Sequence, residues 1–218
     1  MERLQIHPDS PLKAEDWSLP RIETLYSNGS LLTRKDTQEV KLCRDKESSY
    51  IVKKYLSNSF LQALREWTGH ARPDRAFGMA ATLRELGTPV PRHHMIAKKG
   101  SLRRTVSYLI MEEAPGTPLI KYLQSGNFDV FPKTTEEHII AIVEKLQRAG
   151  IAHGDFHTRN LIVADDGQVS LIDLDNAAKT RRRLSRDIRR LHRALLDYPN
   201  PLKRLQDFLA GKPGGIKT

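Results

Sequence analysis

The sequence has a single cysteine, Cys43, among its 218 residues. One cysteine cannot form an internal disulfide, and no set of cysteines and histidines has the spacing of a zinc site. No apolar run approaches the roughly 20 residues that a membrane-spanning helix needs. The polar first stretch, MERLQIHPDSPLKAEDW, lacks the apolar centre of a signal peptide. These absences exclude a disulfide scaffold and a zinc module, and they predict a protein of the reducing cytoplasm.

The sequence also has fewer acidic residues than basic ones. The sequence has 36 Lys and Arg against 26 Asp and Glu, a formal net charge of +10, which favours anionic partners. Eight basic residues lie between Lys179 and Arg193, where Asp187 is the one acid. No helix-turn-helix, RNA-binding signature or interleaving of aromatic and basic residues accompanies them, so nucleic acid is not the expected partner. A solvated helix face is an equally good interpretation of this segment.

The first half of the chain predicts a small β-sheet with one helix. Prolines break residues 1–29, which we interpret as an extended arm. The runs SLLTR, EVKLC and SYIVKKY predict three strands, and two further strands are predicted near 93–98 and 105–112. A helical pattern covers residues 74–86 and ends at Gly87.

The second half is predicted to be mainly helical. A short helix near 118–124 precedes a longer one that begins at Thr134, as an N-cap with Glu137, and ends at Gly150. NLIVA and VSLIDLD predict a hairpin, and an amphipathic helix over ~184–197 follows. This last helix is expected to place its arginines outward and four apolar residues inward: Leu184, Ile188, Leu191 and Leu195.

Strands first and helices afterwards predict an α+β protein with two lobes. The predicted boundaries are an arm over 1–29, a β-sheet lobe with one helix over 30–113, a compact helical lobe over 114–204 and a tail over 205–218.

The stretch HGDFHTRN, residues 153–160, carries the residues with the clearest chemistry. Asp155 and Asn160 flank a loop between a helix and the hairpin, and Asp173 follows the second hairpin strand, which can return it beside Asn160. Carboxylate and amide oxygens suit Mg²⁺, which leaves Asp155 to accept a hydroxyl proton. With Lys53 on an earlier strand, the order is that of the protein-kinase template: lysine, aspartate, asparagine five later, second aspartate.

HGDFHTRNLIV and VSLIDLDNA resemble the kinase-like fold, in particular the bacterial lipopolysaccharide kinases that phosphorylate Kdo or heptose sugars of the inner core. Gly154 matches their lack of the arginine found in the eukaryotic His-Arg-Asp motif. Four further segments resemble the lysine strand, the following helix and turn, the hinge and the closing helix: IVKKY, DRAFGMAATLRELGTPVPR, YLIMEEAPGTPL and RDIRRLHRAL. The resemblance covers about residues 30–197 and implies a two-lobed protein-kinase-like fold.

The resemblance implies transfer of the γ-phosphoryl group of ATP, with Mg²⁺, to a sugar hydroxyl. Asp155 matches the catalytic base, and Asn160 and Asp173 match the metal ligands. Lys53 matches the phosphate-contacting lysine; Lys54 is the alternative, since only one of two neighbours on a strand can face the cleft. The backbone groups of the two hinge residues would hold adenine: Glu112 and Ala114.

Three features depart from the protein-kinase pattern. RKDTQ replaces the glycine-rich loop, and Asp173-Leu174-Asp175 lacks the glycine of Asp-Phe-Gly. No glutamate is assigned to pair with the lysine, because Glu66 lies before the predicted helix and Glu85 at its end. His153 and His157 are interpreted as shaping the loop rather than as a metal pair. Asp175 is an open choice between a metal ligand and a turn cap.

The resemblance also implies partners and a location. The acceptor would be the lipopolysaccharide core glycolipid, and the enzyme would be cytoplasmic and peripheral on the inner membrane of a Gram-negative bacterium. We hypothesise that an outward face of the last helix, away from the catalytic residues, docks on anionic lipid or on the lipopolysaccharide core itself. Four arginines form this face: Arg186, Arg189, Arg190 and Arg193. Two alternatives stay open, a small RIO- or Bud32-like protein kinase and a nucleotide-binding pseudokinase. The sequence leaves the sugar, the hydroxyl and the oligomeric state open.

Overall fold

The computed structural model describes residues 1–45, 48–126, 131–132, 134–198 and 202–211. The protein is mixed α/β, with a six-stranded sheet and several helices. It divides into two compact units. Unit 1 comprises Met1–Ala81 and Pro91–Glu113, and unit 2 comprises Thr82–Val90 and Ala114–Thr218.

Unit 1 is built on an antiparallel sheet whose strand order is β1-β5-β6-β4-β3-β2. The strands are β1 Glu2–Ile6, β2 Ser30–Lys35, β3 Gln38–Asp45, β4 Ser48–Ser57, β5 His93–Gly100 and β6 Thr105–Glu112. Its helices are α1 Leu19–Ser27, α2 Phe60–Trp67 and α3 Arg72–Glu85, the last of which continues into unit 2. The five strands and the helix predicted for this half are all present.

The extended arm predicted for residues 1–29 is wrong. β1 pairs with β5 along its whole length, and α1 buries Leu19, Ile22 and Leu25 in the unit's core. Pro20 does not prevent this helix, because a proline in the first turn lacks only an N–H that would have no partner there. Ser18 caps the same turn by accepting a hydrogen bond from the backbone N–H of Arg21. The short helix α2 was not predicted either.

The two faces of the sheet carry different cores. The α1 side is apolar and includes Val52, Tyr108 and Ile110. On this side the Lys54 ammonium lies 5.3 Å from the centre of the Tyr26 ring. Lys53 lies on the opposite face by strand alternation, and it is only 7% exposed.

A buried ionic network lies on that opposite face, against α2 and α3. The Lys98 side chain, 2% exposed, lies 2.7 Å from Asp74 Oδ1 and 3.5 Å from Glu66 Oε2. Ser107 donates a hydrogen bond of 2.7 Å to Glu66. Burial raises the pKa of the Glu66 carboxyl. The network ties β5 and β6 to the two helices, since each of these elements contributes a member.

One end of the sheet exposes apolar side chains, and we call it the apolar end. Its members are Phe60, Leu61 and Leu64 of α2, Leu102 of the β5–β6 turn, and Met1. β4 ends just before α2, at Ser57, which pairs with Thr105, and Trp67 Nε1 donates to Thr105 Oγ1 at 3.0 Å. Three exposed arginines lie on the same two segments: Arg65, Arg103 and Arg104.

The described residues of unit 2 form four further α-helices and two small sheets. The helices are α4 Leu119–Ser125, α5 Thr135–Ala149, α6 Arg181–Leu196 and α7 Lys203–Leu209. The strands are β7 Thr117–Pro118, β8 Ile151–Ala152, β9 Leu161–Val163, β10 Val169–Leu171 and β11 Ala178–Lys179. Antiparallel pairing joins β10, β9 and β7 in one sheet and β11 with β8 in the other. The predicted β9–β10 hairpin is confirmed.

Helix α5 ends as predicted but begins differently. Gly150 ends α5 in the left-handed conformation with φ 65°, as predicted. Thr134 does not cap the helix with its side chain, which donates instead to the carbonyl of Asp166 at 3.2 Å. The predicted tail begins inside α7, and its residues 212–218 lie outside the described residues. Within the part of the chain that the structure describes, no helix combines the length and apolar character needed to cross a membrane.

Candidate active site

Residues 153–160 form a loop between β8 and β9, and His153 fixes its shape. The imidazole is buried; Nε2 donates to the carbonyl of Ile172 at 2.8 Å, and Nδ1 accepts from the N–H of Asp155 at 3.3 Å. These two bonds select one neutral tautomer. Burial lowers the pKa of His153, which keeps the ring neutral. Both bonds support the interpretation of His153 as a loop-shaping residue.

The hairpin brings Asp173 back to Asn160. The backbone N–H of Ile172 donates to the backbone carbonyl of Asn160 at 3.0 Å. Asp173 is the next residue along the chain. Asp173 has φ 63°, the one positive value among the described residues other than glycine. Aspartate tolerates this conformation better than most residues, and such outliers cluster at functional sites.

The Asn160 amide is held in one orientation. Its Nδ2 donates to the backbone carbonyl of Asp155 at 2.9 Å, so the donor side of the amide is engaged within the loop and the oxygen side remains for a cation. Asp173, the second predicted ligand, comes directly after Ile172, whose backbone bonds to that of Asn160. Two hard oxygen donors suit Mg²⁺, which usually keeps waters and phosphate oxygens as its other ligands. These residues therefore fit the predicted metal, while Asp175 is buried in the turn Leu174–Asn176 and both of its predicted roles stay predictions.

Helix α6 anchors the loop through a residue that the sequence did not single out. The Asp187 side chain is buried and accepts a hydrogen bond of 2.8 Å from the backbone N–H of Gly154. The available signal was its position: Asp187 is the one acid of a basic helix, and it lies on the same side as Leu184 and Leu191. An acid on an apolar stripe needs a buried partner.

Arg190 contacts the predicted catalytic base. Its Nη1 lies 2.5 Å from Asp155 Oδ1, while His157 Nε2 lies 3.3 Å from Asp155 Oδ2. The hypothesis that Arg190 belongs to an outward face away from the catalytic residues is therefore wrong. The reason is that α6 turns Asp187 and Arg190, three residues apart and so neighbours on the helix surface, toward the loop. Arg186, Arg189 and Arg193 remain exposed.

The other predicted site residues lie elsewhere in the chain. Lys53 is in β4 of unit 1, and Glu112 ends β6 in the same unit. The Glu112 N–H donates to the carbonyl of Arg92 at 2.9 Å, and its carboxylate accepts from the N–H of Arg92 at 3.0 Å. Ala114 is the first residue of the second segment of unit 2. The roles of these three residues stay predictions.

Asn160 and Asp173 can hold a cation beside Asp155, whose carboxylate can accept a hydrogen bond from a hydroxyl. Such an arrangement suits phosphoryl transfer. A family model described as "Lipopolysaccharide kinase (Kdo/WaaP) family" matches residues 27–211. Among curated proteins, a probable serine/threonine-protein kinase of Streptomyces coelicolor is 35% identical over 72 residues, which are 32% of this chain and 10% of that protein. The chain therefore matches only a small part of that relative.

Proposed function

Because the chain belongs to the lipopolysaccharide kinase (Kdo/WaaP) family, we propose that it transfers the γ-phosphoryl group of ATP to a hydroxyl of an inner-core heptose or Kdo. One observation supports the proposal: Asn160 is hydrogen-bonded to the backbone of Asp155 and to that of Ile172, the residue before Asp173, and these residues follow the order of the kinase template. Units 1 and 2 would then correspond to the two lobes of a kinase-like fold.

Each residue has a defined role in this proposal. Asp155 orients the acceptor hydroxyl and takes its proton as the sugar oxygen bonds to the γ-phosphorus; the bond from that phosphorus to the bridging oxygen breaks and ADP leaves. Asn160 and Asp173 would hold Mg²⁺, which when bound would neutralise phosphate charge. Lys53 contacts the α- and β-phosphates. The backbone groups of Glu112 and Ala114 hold adenine.

The acceptor is a membrane glycolipid, so we include peripheral contact with an anionic membrane surface. Two sets of exposed residues support this contact. The first is the α6 set Arg186, Arg189 and Arg193, and an arginine close to an anionic surface contributes about 1 kcal/mol. The second is the apolar end of unit 1, whose Phe60 and Leu61 are 54% and 68% exposed. Apolar side chains flanked by arginines are typical of protein surfaces that sit in the lipid interface.

A RIO- or Bud32-like protein kinase is the second candidate function, and the 72-residue likeness to a probable serine/threonine-protein kinase favours it. The two candidates differ in the acceptor, so parallel labelling assays separate them. Purified lipopolysaccharide and a general protein substrate such as casein are incubated with radiolabelled ATP and the enzyme. Labelled lipopolysaccharide supports the proposed function, and label on casein alone supports the protein kinase. A nucleotide-dependent rise in melting temperature without turnover on either acceptor indicates a pseudokinase.

The Asp155→Ala variant tests the mechanism. Loss of a positioned base is expected to lower turnover at least ~100-fold, while nucleotide affinity, measured by the melting shift with ATP, stays nearly unchanged. Asp165→Ala is the matched control, since Asp165 is exposed in the β9–β10 turn and is expected to behave as wild type. Near-wild-type turnover in a folded Asp155→Ala enzyme removes Asp155 from the mechanism.

A further inference from the structure

The Asp155 carboxylate is engaged at both oxygens. Arg190 Nη1 contacts Oδ1 at 2.5 Å, and His157 Nε2 lies 3.3 Å from Oδ2. An oxygen that accepts from a guanidinium cannot also take a hydroxyl hydrogen along the same direction. If Asp155 is the base, opening one of these contacts frees a further position on its carboxylate for the acceptor hydroxyl.

The Arg190 contact is the one suited to exchange. The Arg190 and Asp155 side chains are 44% and 37% exposed, and a solvent-exposed ion pair contributes little to stability. A guanidinium has five N–H donors in a planar fork, which binds carboxylates and phosphates bidentately. Among the residues that the structure describes, the Arg190 side chain has one hydrogen bond, through Nη1, so its other N–H groups can receive a second anion.

The surroundings of Arg190 favour an anion as well. Arg186, Arg189 and Arg193 are exposed within one helical turn of it. The one acid of α6, Asp187, is already engaged by the N–H of Gly154. His157 adds another nitrogen on the far side of Asp155. Arg190 is thus a cation beside the predicted base, at the inner margin of a basic surface.

We propose that Arg190 is an acceptor-binding residue that exchanges Asp155 for an anionic group of the sugar acceptor, a carboxylate or a phosphate next to the hydroxyl that is phosphorylated. The exchange frees Asp155 Oδ1 for that hydroxyl. An acceptor without the anionic group leaves the Arg190–Asp155 pair closed and reacts poorly. This inference rests on the proposed function and adds a basis for acceptor selection.

The test compares wild type, Arg190→Gln and Arg190→Lys on matched acceptors: purified lipopolysaccharide, the same material with its carboxylates reduced to alcohols, and the same material dephosphorylated. The measured quantity is the ratio of kcat/KM for the native acceptor to kcat/KM for each modified one. Wild type is expected to prefer the native acceptor about tenfold over at least one modified form, since a charge-assisted hydrogen bond contributes that much. The modified acceptor that reacts about tenfold less well than the native one identifies the anion: a carboxylate if it is the reduced form, a phosphate if it is the dephosphorylated form.

Arg190→Gln is expected to bring that ratio to about one, and Arg190→Lys to an intermediate value because a point charge replaces the fork. Arg148→Gln is the matched control, since Arg148 is an exposed arginine on α5 outside the α6 set, and it is expected to keep the wild-type ratio. If Arg190 only positions Asp155, Arg190→Gln lowers kcat for all acceptors alike and leaves the ratio unchanged, which overturns the inference.

The inference and the proposed function fail in different ways. A wild-type enzyme that labels no lipopolysaccharide at all disproves the proposed function and the inference with it. A wild-type enzyme that labels native and both modified acceptors equally well keeps the proposed function and overturns the inference. Melting curves of both Arg190 variants show that they fold, and Arg190→Lys, which keeps the positive charge, provides the second variant.

Discussion

At the scale of single residues, His153 holds the loop over residues 153–160 through one neutral ring. Its Nε2–H and Nδ1 each have a backbone partner, so protonation would replace the Nδ1 acceptor by a second donor facing the N–H of Asp155. Burial already lowers the pKa of this imidazole from 6.5. The unfolded chain therefore binds this proton at a higher pH than the folded protein does.

The free energy of unfolding is expected to be largest above about pH 6.5 and to decrease as the pH falls from there toward the folded-state pKa, because only the unfolded state gains the proton in that window. Denaturant titrations between pH 7.5 and pH 5 measure it. His153→Asn is expected to be less stable throughout but to lose part of this slope, and His157→Asn, at a ring that is 26% exposed, is the matched control. Equal slopes in wild type and His153→Asn would exclude His153 as the source.

Spacing alone predicts the residues that follow one another along the loop and hairpin, Asp155, Asn160 and Asp173. Local geometry is enough there, because a two-stranded hairpin returns the chain to a position that can be counted. Asp187 and Arg190 lie 33 and 35 residues from their partners. Their roles depend on how α6 packs against the loop, which no local pattern encodes.

At the scale of elements, β4 separates two neighbouring lysines by strand alternation. Lys54 shares the α1 face with Tyr26, and Lys53 is buried on the face that carries the Lys98 network. The apolar run with a β-branched centre in SYIVKKY was sufficient to predict this strand. The helices α1 and α2 were not predicted, because such short helices depend on their caps, here Ser18 and Ser59, and on the sheet beneath them.

Lys53→Ala is expected to impair phosphoryl transfer severely, and Lys54→Ala only mildly, because the two side chains point to opposite faces. Matched assays of kcat and of KM for ATP, together with melting curves, measure both effects. The reverse ranking would move the phosphate-contacting role to Lys54 and shift the register of the resemblance by one residue.

At the scale of the whole molecule, the net charge of +10 is unevenly used. Arg190 and Lys98 are taken up by ion pairs with carboxylates, while the α6 set and the arginines of the apolar end face solvent. Charge could be counted from the sequence, but which cations are free to meet a partner could not, because pairing depends on contacts distant in the chain.

Binding to vesicles of phosphatidylethanolamine and phosphatidylglycerol is expected to weaken at least tenfold when Arg186, Arg189 and Arg193 are all replaced by Glu, since about 1 kcal/mol is lost per arginine.

The double substitution Leu61→Ser with Leu64→Ser should also weaken binding to these vesicles, by removing apolar contact with the lipid. Co-sedimentation at low and high salt separates the two effects, because only the first is screened. Leu196→Ser, exposed on α6 and outside both sets, is the control. Unchanged binding in both multiple variants would leave these surfaces as solvated faces.

The crowding at Gly154 has a consequence for how the enzyme can be switched on and off. A Cβ at this position would lie 2.5 Å from the Asn176 carbonyl oxygen, and the backbone φ is +85°. The arginine that eukaryotic protein kinases carry here therefore does not fit without displacing the turn that follows Asp173. Arginines of those kinases capture a phosphorylated activation loop and so couple activity to a covalent signal. Glycine at 154 leaves no such receiver at this position, and we expect the rate to follow the supply of ATP and acceptor instead.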